Sequence, residues 1–144
     1  MISVRVPYGE DFDYQACKKM YEENQELVED DATFDEVINN TLFFAFYDND
    51  KLSLCIYFYP IKGKLWVNGY GVRKKHLFNK ICFKTALTWF NCDIWAKSVQ
   101  KPAIYGLLVS GFKKFKDNIY VYRQNEASAS ERKKYERKVA RNNK

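Results

Sequence analysis

The chain has 144 residues, 47% of them hydrophobic, and a formal net charge of +6 at pH 7 that is spread very unevenly: residues 1–50 hold three basic against thirteen acidic side chains, the rest 21 against five. Length and apolar content fit one domain that buries roughly 68–70% of its unfolded surface, without help from disulfides or a structural metal. The absence of an eighteen-residue apolar run and of a charged, apolar, small-residue leader argues against a membrane span or secretory signal and for a cytoplasmic protein.

The first alternating stretch, residues 3–6, predicts a short strand stopped by Pro7 and Gly9. Tyr14, Cys17, Met20 and Tyr21 recur at spacings of three and four, which places one apolar stripe on a helix of about a dozen residues. Residues 22–31 are mostly acidic and read as a solvated turn and helix end. Thr33 and Glu36 then have capping-box spacing, opening a second short helix through Ile38. Two aromatic-rich runs, 42–47 and 52–59, flank Asp48, Asn49 and Asp50, whose short polar side chains tolerate turn geometry, so this segment is a hairpin. Pro60 and Gly63 end it, and 65–72 forms a third strand in which Gly69 and Gly71 mark a bulge or a close approach to the backbone.

Arg73, Lys74, Lys75 and His76 follow, and then a helix over 77–90 with an apolar surface broad enough to lie flat on a sheet. Basic side chains ahead of free helix N–H groups make this junction a candidate anion site. Residues 93–99 alternate as a strand. Pro102 suits the first turn of a helix carrying Ala103, Ile104, Leu107 and Leu108, Gly111 suits its left-handed C-cap, Phe112 can fold back on it, and 118–124 alternates again.

Strand, short helix, Gly111-Phe112 and closing strand resemble the C-terminal half of the GCN5-related N-acetyltransferase (GNAT) fold, and the antiparallel strands before them extend the resemblance over most of the chain. It implies an α/β (α+β) fold: a mixed, mostly antiparallel sheet flanked by helices, with 77–90 on one face and the two N-terminal helices on the other or at an edge. The expected domain spans 1–125. The resemblance also implies an acetyl-CoA pyrophosphate loop of the form Gln/Arg-x-x-Gly-x-Gly/Ala at residues 73–78. Arg73 is kept, but His76 and Phe78 stand at the two small positions, where their side chains would crowd a phosphate off the backbone amides. Lys74 and Lys75 can add charge but not a backbone nest.

The family's Asn at the start of the late helix and its Tyr four residues before Gly-Phe are replaced by the 100–102 segment and Leu107, with Tyr105 two residues early; strand 65–72 lacks a carboxylate to deprotonate an amine. No catalytic residue is therefore assigned. The four cysteines, Cys17, Cys55, Cys82 and Cys92, have no close pairing and read as buried free thiols, while a single histidine, His76, leaves a metal site without ligands.

After residue 125 the composition turns basic. Arg132, Lys133, Lys134, Arg137, Lys138 and Arg141 make 126–144 a tail or helix suited to an acidic protein surface or nucleic acid. In length, order and missing residues the chain is similar to the small GNAT-like head-assembly and internal virion proteins of tailed bacteriophages. That resemblance implies a non-catalytic interaction protein with virion or assembly partners and no cofactor, located in host cytoplasm or packaged in the virion. The alternative it leaves open is an acetyl-CoA-dependent N-acetyltransferase with an atypical loop.

Overall fold

The computed structural model describes residues 1–126. Its centre is the hairpin of β2 (Leu42–Asp48) and β3 (Lys51–Ile61), closed by Asn49 in the left-handed region at φ 57°. Alternation along β2 sends Phe44 and Phe46 to one face of the sheet and Phe43, Ala45 and Tyr47 to the other. Both faces are apolar, so both require a covering layer. β1 (Ile2–Arg5) pairs with β2, and β4 (Lys64–Gly71) pairs with β3, all antiparallel. The chain then crosses over to β5 (Ile94–Lys97), which joins β4 in parallel, and returns through the hairpin β6 (Lys113–Lys116) and β7 (Ile119–Tyr122). The result is a seven-stranded sheet in the order β1-β2-β3-β4-β5-β7-β6.

One face is covered by α4 (His76–Leu87) and α5 (Lys101–Val109), where Cys82, Ala86 and Leu87 pack against Phe46, Ile56, Phe58, Ile94 and Phe112. The other is covered by α1 (Tyr14–Glu23), α2 (Gln25–Val28) and α3 (Phe34–Asn40), whose Cys17, Tyr21, Val28, Phe34 and Val37 meet Phe43, Ala45, Tyr57 and Tyr70. Tyrosine hydroxyls fasten this second layer to the sheet. Tyr70 donates to the Cys17 carbonyl at 3.0 Å and Tyr57 to the Asp30 carboxylate at 2.7 Å, so each burial of a ring also satisfies a polar group.

Several local expectations hold. Thr33 and Glu36 form a reciprocal capping box on α3, and Pro102 lies in the first turn of α5. Gly111 has φ 105°, and the Phe112 N–H returns to the Leu107 carbonyl at 3.0 Å. At Gly69 and Gly71 the β3–β4 register is unbroken, so close approach and not a bulge accounts for them: a Cβ would stand 2.9 Å from the Cys55 carbonyl at the first and 2.8 Å from the Ser53 carbonyl at the second.

Other expectations are corrected. The acidic stretch 22–31 contains α2, ended by Glu29 at φ 56°. α4 stops at Leu87, and its apolar breadth is not all core, since Leu77 and Ile81 are exposed. The Lys-rich segment after Phe112 is β6, an edge strand whose hydrogen bonding to β7 overrides its poor apolar alternation. Cys17, Cys55 and Cys82 are buried free thiols, but Cys92 is exposed because it falls in the loop between α4 and β5. Among the described residues no helix is long and apolar enough to cross a membrane, and no group of three or more metal-ligating side chains occurs.

Substituting Gly111 forces a Cβ into the left-handed region, 3.2 Å from the Tyr122 ring. Gly111→Ala should therefore lower stability by about 1 kcal/mol or more in denaturant unfolding. The buried phenols supply a second check. Burial raises the pKa of Tyr21 and Tyr47 to about 12, and raises Tyr57 and Tyr70 further, with Asp30 adding to the effect at Tyr57. A pKa raised in the folded state contributes stability that is full below the unfolded value near 10 and is lost as pH rises beyond it. Spectrophotometric titration should show these four phenols ionising together with alkaline unfolding.

Candidate functional site

β4 and β5 are bonded only at their starts, through Leu65 with Ile94 and Trp66 with Trp95. Beyond Trp66 the strands part, β4 running on to Gly71 while β5 turns away at Lys97. The wedge between them opens into a cleft of about 800 Å³, a size typical of small-molecule sites. Its walls come from the ends of both strands, from α4 and α5, and from Leu27, Val28 and Glu29 at the end of α2.

Side-chain hydrogen bonds hold those walls. Asn79 on α4 accepts from the Ser53 hydroxyl at 2.6 Å and donates to the Val72 carbonyl at 3.1 Å, while the Val72 N–H returns to the Ser53 carbonyl at 2.9 Å. Gly71 makes this possible, because a Cβ there would lie 2.7 Å from the Asn79 amide nitrogen. Across the mouth, both carboxylate oxygens of Glu29 sit 3.3 Å from the Val99 N–H and accept from it. This bond ties the α2 terminus to the entry of α5.

The basic junction is divided. Arg73 and His76 line the cleft together with Lys80 and Lys97, whereas Lys74 does not. Lys75 also turns elsewhere: its ammonium is 2.7 Å from Asp48 at the β2–β3 turn, and that hydrogen bond holds the Asp48 carboxyl below its usual range. The first turn of α4 has no side-chain cap, and the Lys75 N–H is already bonded to the Val72 carbonyl at 3.1 Å. Positive charge thus reaches the cleft, but the Lys75 amide just ahead of α4 is engaged and the side chains of His76 and Phe78 replace small residues. These residues fit an anion by charge and do not form the backbone cradle that acetyl-CoA phosphates need. Arg132, Lys133, Lys134, Arg137, Lys138 and Arg141 lie outside the described residues.

Two cleft residues, Asn79 and Glu29, were not singled out by their sequence context. Asn79 has a legible signal, a lone amide within the apolar face of a helix. Glu29 has none, because its role depends on a left-handed turn and a bond to Val99, seventy residues away. Tyr105 lines the cleft with its side chain exposed, alongside Leu107.

No family model matches the chain, and neither does any curated protein sequence. Solved structures do. An N-acetyltransferase from Staphylococcus aureus Mu50 aligns over 85% of this chain and 97% of its own, with a TM-score of 0.65 at 13% identity. The ribosomal-protein-S18-alanine N-acetyltransferase from Escherichia coli aligns over 85% and 94%, with a TM-score of 0.58 at 12% identity. A GNAT family acetyltransferase from Elizabethkingia anophelis with acetyl-CoA bound aligns over 85% and 97%, with a TM-score of 0.54 at 9% identity. The chain therefore has the GNAT fold.

Ser53 is 1% exposed, so removing its partner leaves a hydroxyl dry and unsatisfied. Asn79→Ala should destabilise by about 1–3 kcal/mol. Combining it with Ser53→Ala in thermal denaturation should give a total loss clearly smaller than the sum of the two single losses.

Proposed function

We propose that the protein uses the GNAT fold for binding and not for acetyl transfer, in the manner of the small GNAT-like head-assembly and internal virion proteins of tailed bacteriophages. One observation carries the reading: among the described residues Glu29 is the only carboxylate lining the cleft, and both its oxygens are directed to the Val99 N–H. β4 presents Asn68, Gly69, Tyr70 and Gly71 along the cleft, and the Tyr70 hydroxyl is committed to the Cys17 carbonyl. An uncommitted carboxylate to act as general base is thus missing from the cleft among the described residues, which leaves the His76 imidazole as the one other candidate lining it. The misfit at His76 and Phe78 supports the same conclusion. Partner contact is assigned to the basic elements, Arg73 through His76 and Arg132 through Arg141, with virion or assembly proteins as partners in the host cytoplasm or the particle.

The volume of the cleft favours a second reading, an acetyl-CoA-dependent N-acetyltransferase in which Tyr105 would be the proton donor. Structural neighbours with acetyl-CoA bound support it at the level of fold.

Two measurements separate the readings. A ligand held at one hundred times its dissociation constant stabilises the protein by about 2.7 kcal/mol, so a true acetyl-CoA site produces a clear rise in melting temperature. The binding reading expects no such rise and no release of free CoA thiol above background with a panel of amines and peptides. Sustained thiol release that disappears in Tyr105→Phe would establish the enzyme.

A further inference from the structure

β4 stays paired with β3 as far as Gly71, but on its other side no strand accompanies it past Trp66. Val67 to Gly71 therefore present one main-chain edge to the cleft that they line. A side chain takes up part of that edge: the Gly69 N–H donates to the Asn68 side-chain oxygen at 2.8 Å, and the Asn68 amide donates in turn to the Val28 carbonyl at 2.9 Å. A carboxamide standing where a neighbouring strand would place its carbonyl marks an edge suited to main-chain partners.

The floor and the rim of the cleft differ in chemistry. Leu54, Ile56, Val67 and Ala96 make the floor apolar, with Phe83 and Leu107 beside them. Arg73 follows β4, Lys80 stands on α4 and Lys97 ends β5, so three cations reach the cleft from separate elements. None of the three has an ion-pair partner among the described residues, and the Glu29 carboxylate is committed to the Val99 N–H. This charge calls for an anionic ligand. A compact phosphate needs converging amides, whereas the Lys75 N–H is engaged and His76 and Phe78 stand at the small positions. Carboxylates spaced along an extended chain can meet dispersed cations without such a cradle.

We propose that the cleft takes an extended acidic peptide segment of a partner protein, added as a strand along β4 in the wedge between β4 and β5. Its main chain pairs with the edge from Val67 to Gly71, which at about 3.3 Å per residue matches a segment of roughly five residues. Its apolar side chains lie on the floor, and its carboxylates reach Arg73, Lys80 and Lys97. Main-chain bonds fix the register, the floor supplies an apolar centre and the cations form a polar rim. This assignment rests on the fold serving binding and not acetyl transfer.

The test titrates the full chain with a fluorescein-labelled heptapeptide, blocked at both ends, in which a Val-Leu-Val centre is flanked by two glutamates on each side. Saturable binding is expected. The same peptide N-methylated along its backbone keeps every charge but cannot pair as a strand, and it should bind about tenfold more weakly, a comparison that needs no change to the chain. Arg73→Glu with Lys80→Glu should weaken binding of the acidic peptide by about tenfold and improve binding of a version with lysines in place of the glutamates. Equal binding of the methylated and unmethylated peptides, or no response to the double reversal, would reduce the contact to diffuse attraction and overturn the proposal. So would absence of binding, or tripolyphosphate that binds more tightly than the peptide through the same two side chains. A rise in melting temperature with acetyl-CoA would overturn the binding reading itself, whereas an unchanged melting temperature together with no peptide binding would remove the peptide alone.

Discussion

Burial of β3 on both faces is the constraint on which the rest of the structure depends. Residues 53 to 58 are all buried, with Ile56 and Phe58 facing one way and Cys55 and Tyr57 the other. Each large apolar side chain removed from water contributes roughly 1.5–3 kcal/mol, so a strand of this composition is stable only between two layers. α4 supplies one and α1–α3 the other. Because the two layers close over the same central strands, the sheet beyond β4 receives its helical cover, among the described residues, from α4 and α5.

The cleft arises from the same arrangement. β5 enters in parallel through a crossover, pairs for two residues, and then diverges so that α5 can pack with α4 on a shared face. A wedge between diverging parallel strands leaves backbone unpaired, and the Asn79, Ser53 and Val72 bonds, together with the Glu29 bond to Val99, supply partners at its rim. The binding space and its polar fastenings are therefore consequences of topology. What distinguishes this chain within the fold is the chemistry lining that space, cationic at Arg73, Lys80 and Lys97, with the His76 imidazole beside them and, among the described residues, Glu29 as its one carboxylate.

The polarity of the sequence is likewise a structural division. The acidic first fifty residues form the α1–α3 layer, the edge strand β1 and its neighbour β2, while the basic remainder contributes the cleft junction and β6. Charge of opposite sign thus occupies opposite ends of one sheet, which suits a molecule that meets partners through electrostatic steering. The Lys75 to Asp48 pair joins the two regions across the β2–β3 turn.

Local chemistry was enough to determine most elements of this chain. The alternation around Asn49, the Thr33 and Glu36 box, Pro102 and Gly111 each act within a few residues, and they led directly to the hairpin, the helix starts and the Gly-Phe turn. The basic junction at residues 73 to 76 was legible for the same reason, as a charge cluster ahead of a helix. Tertiary structure alone decided the rest. β6 exists because β7 offers it a hydrogen-bonding edge, Lys75 leaves the cleft because Asp48 lies within reach, and Glu29 enters its rim through a bond to Val99. These outcomes depend on which distant groups the sheet order brings together. No periodicity or short motif encodes that proximity, because the energy responsible is shared between segments that are far apart in the chain.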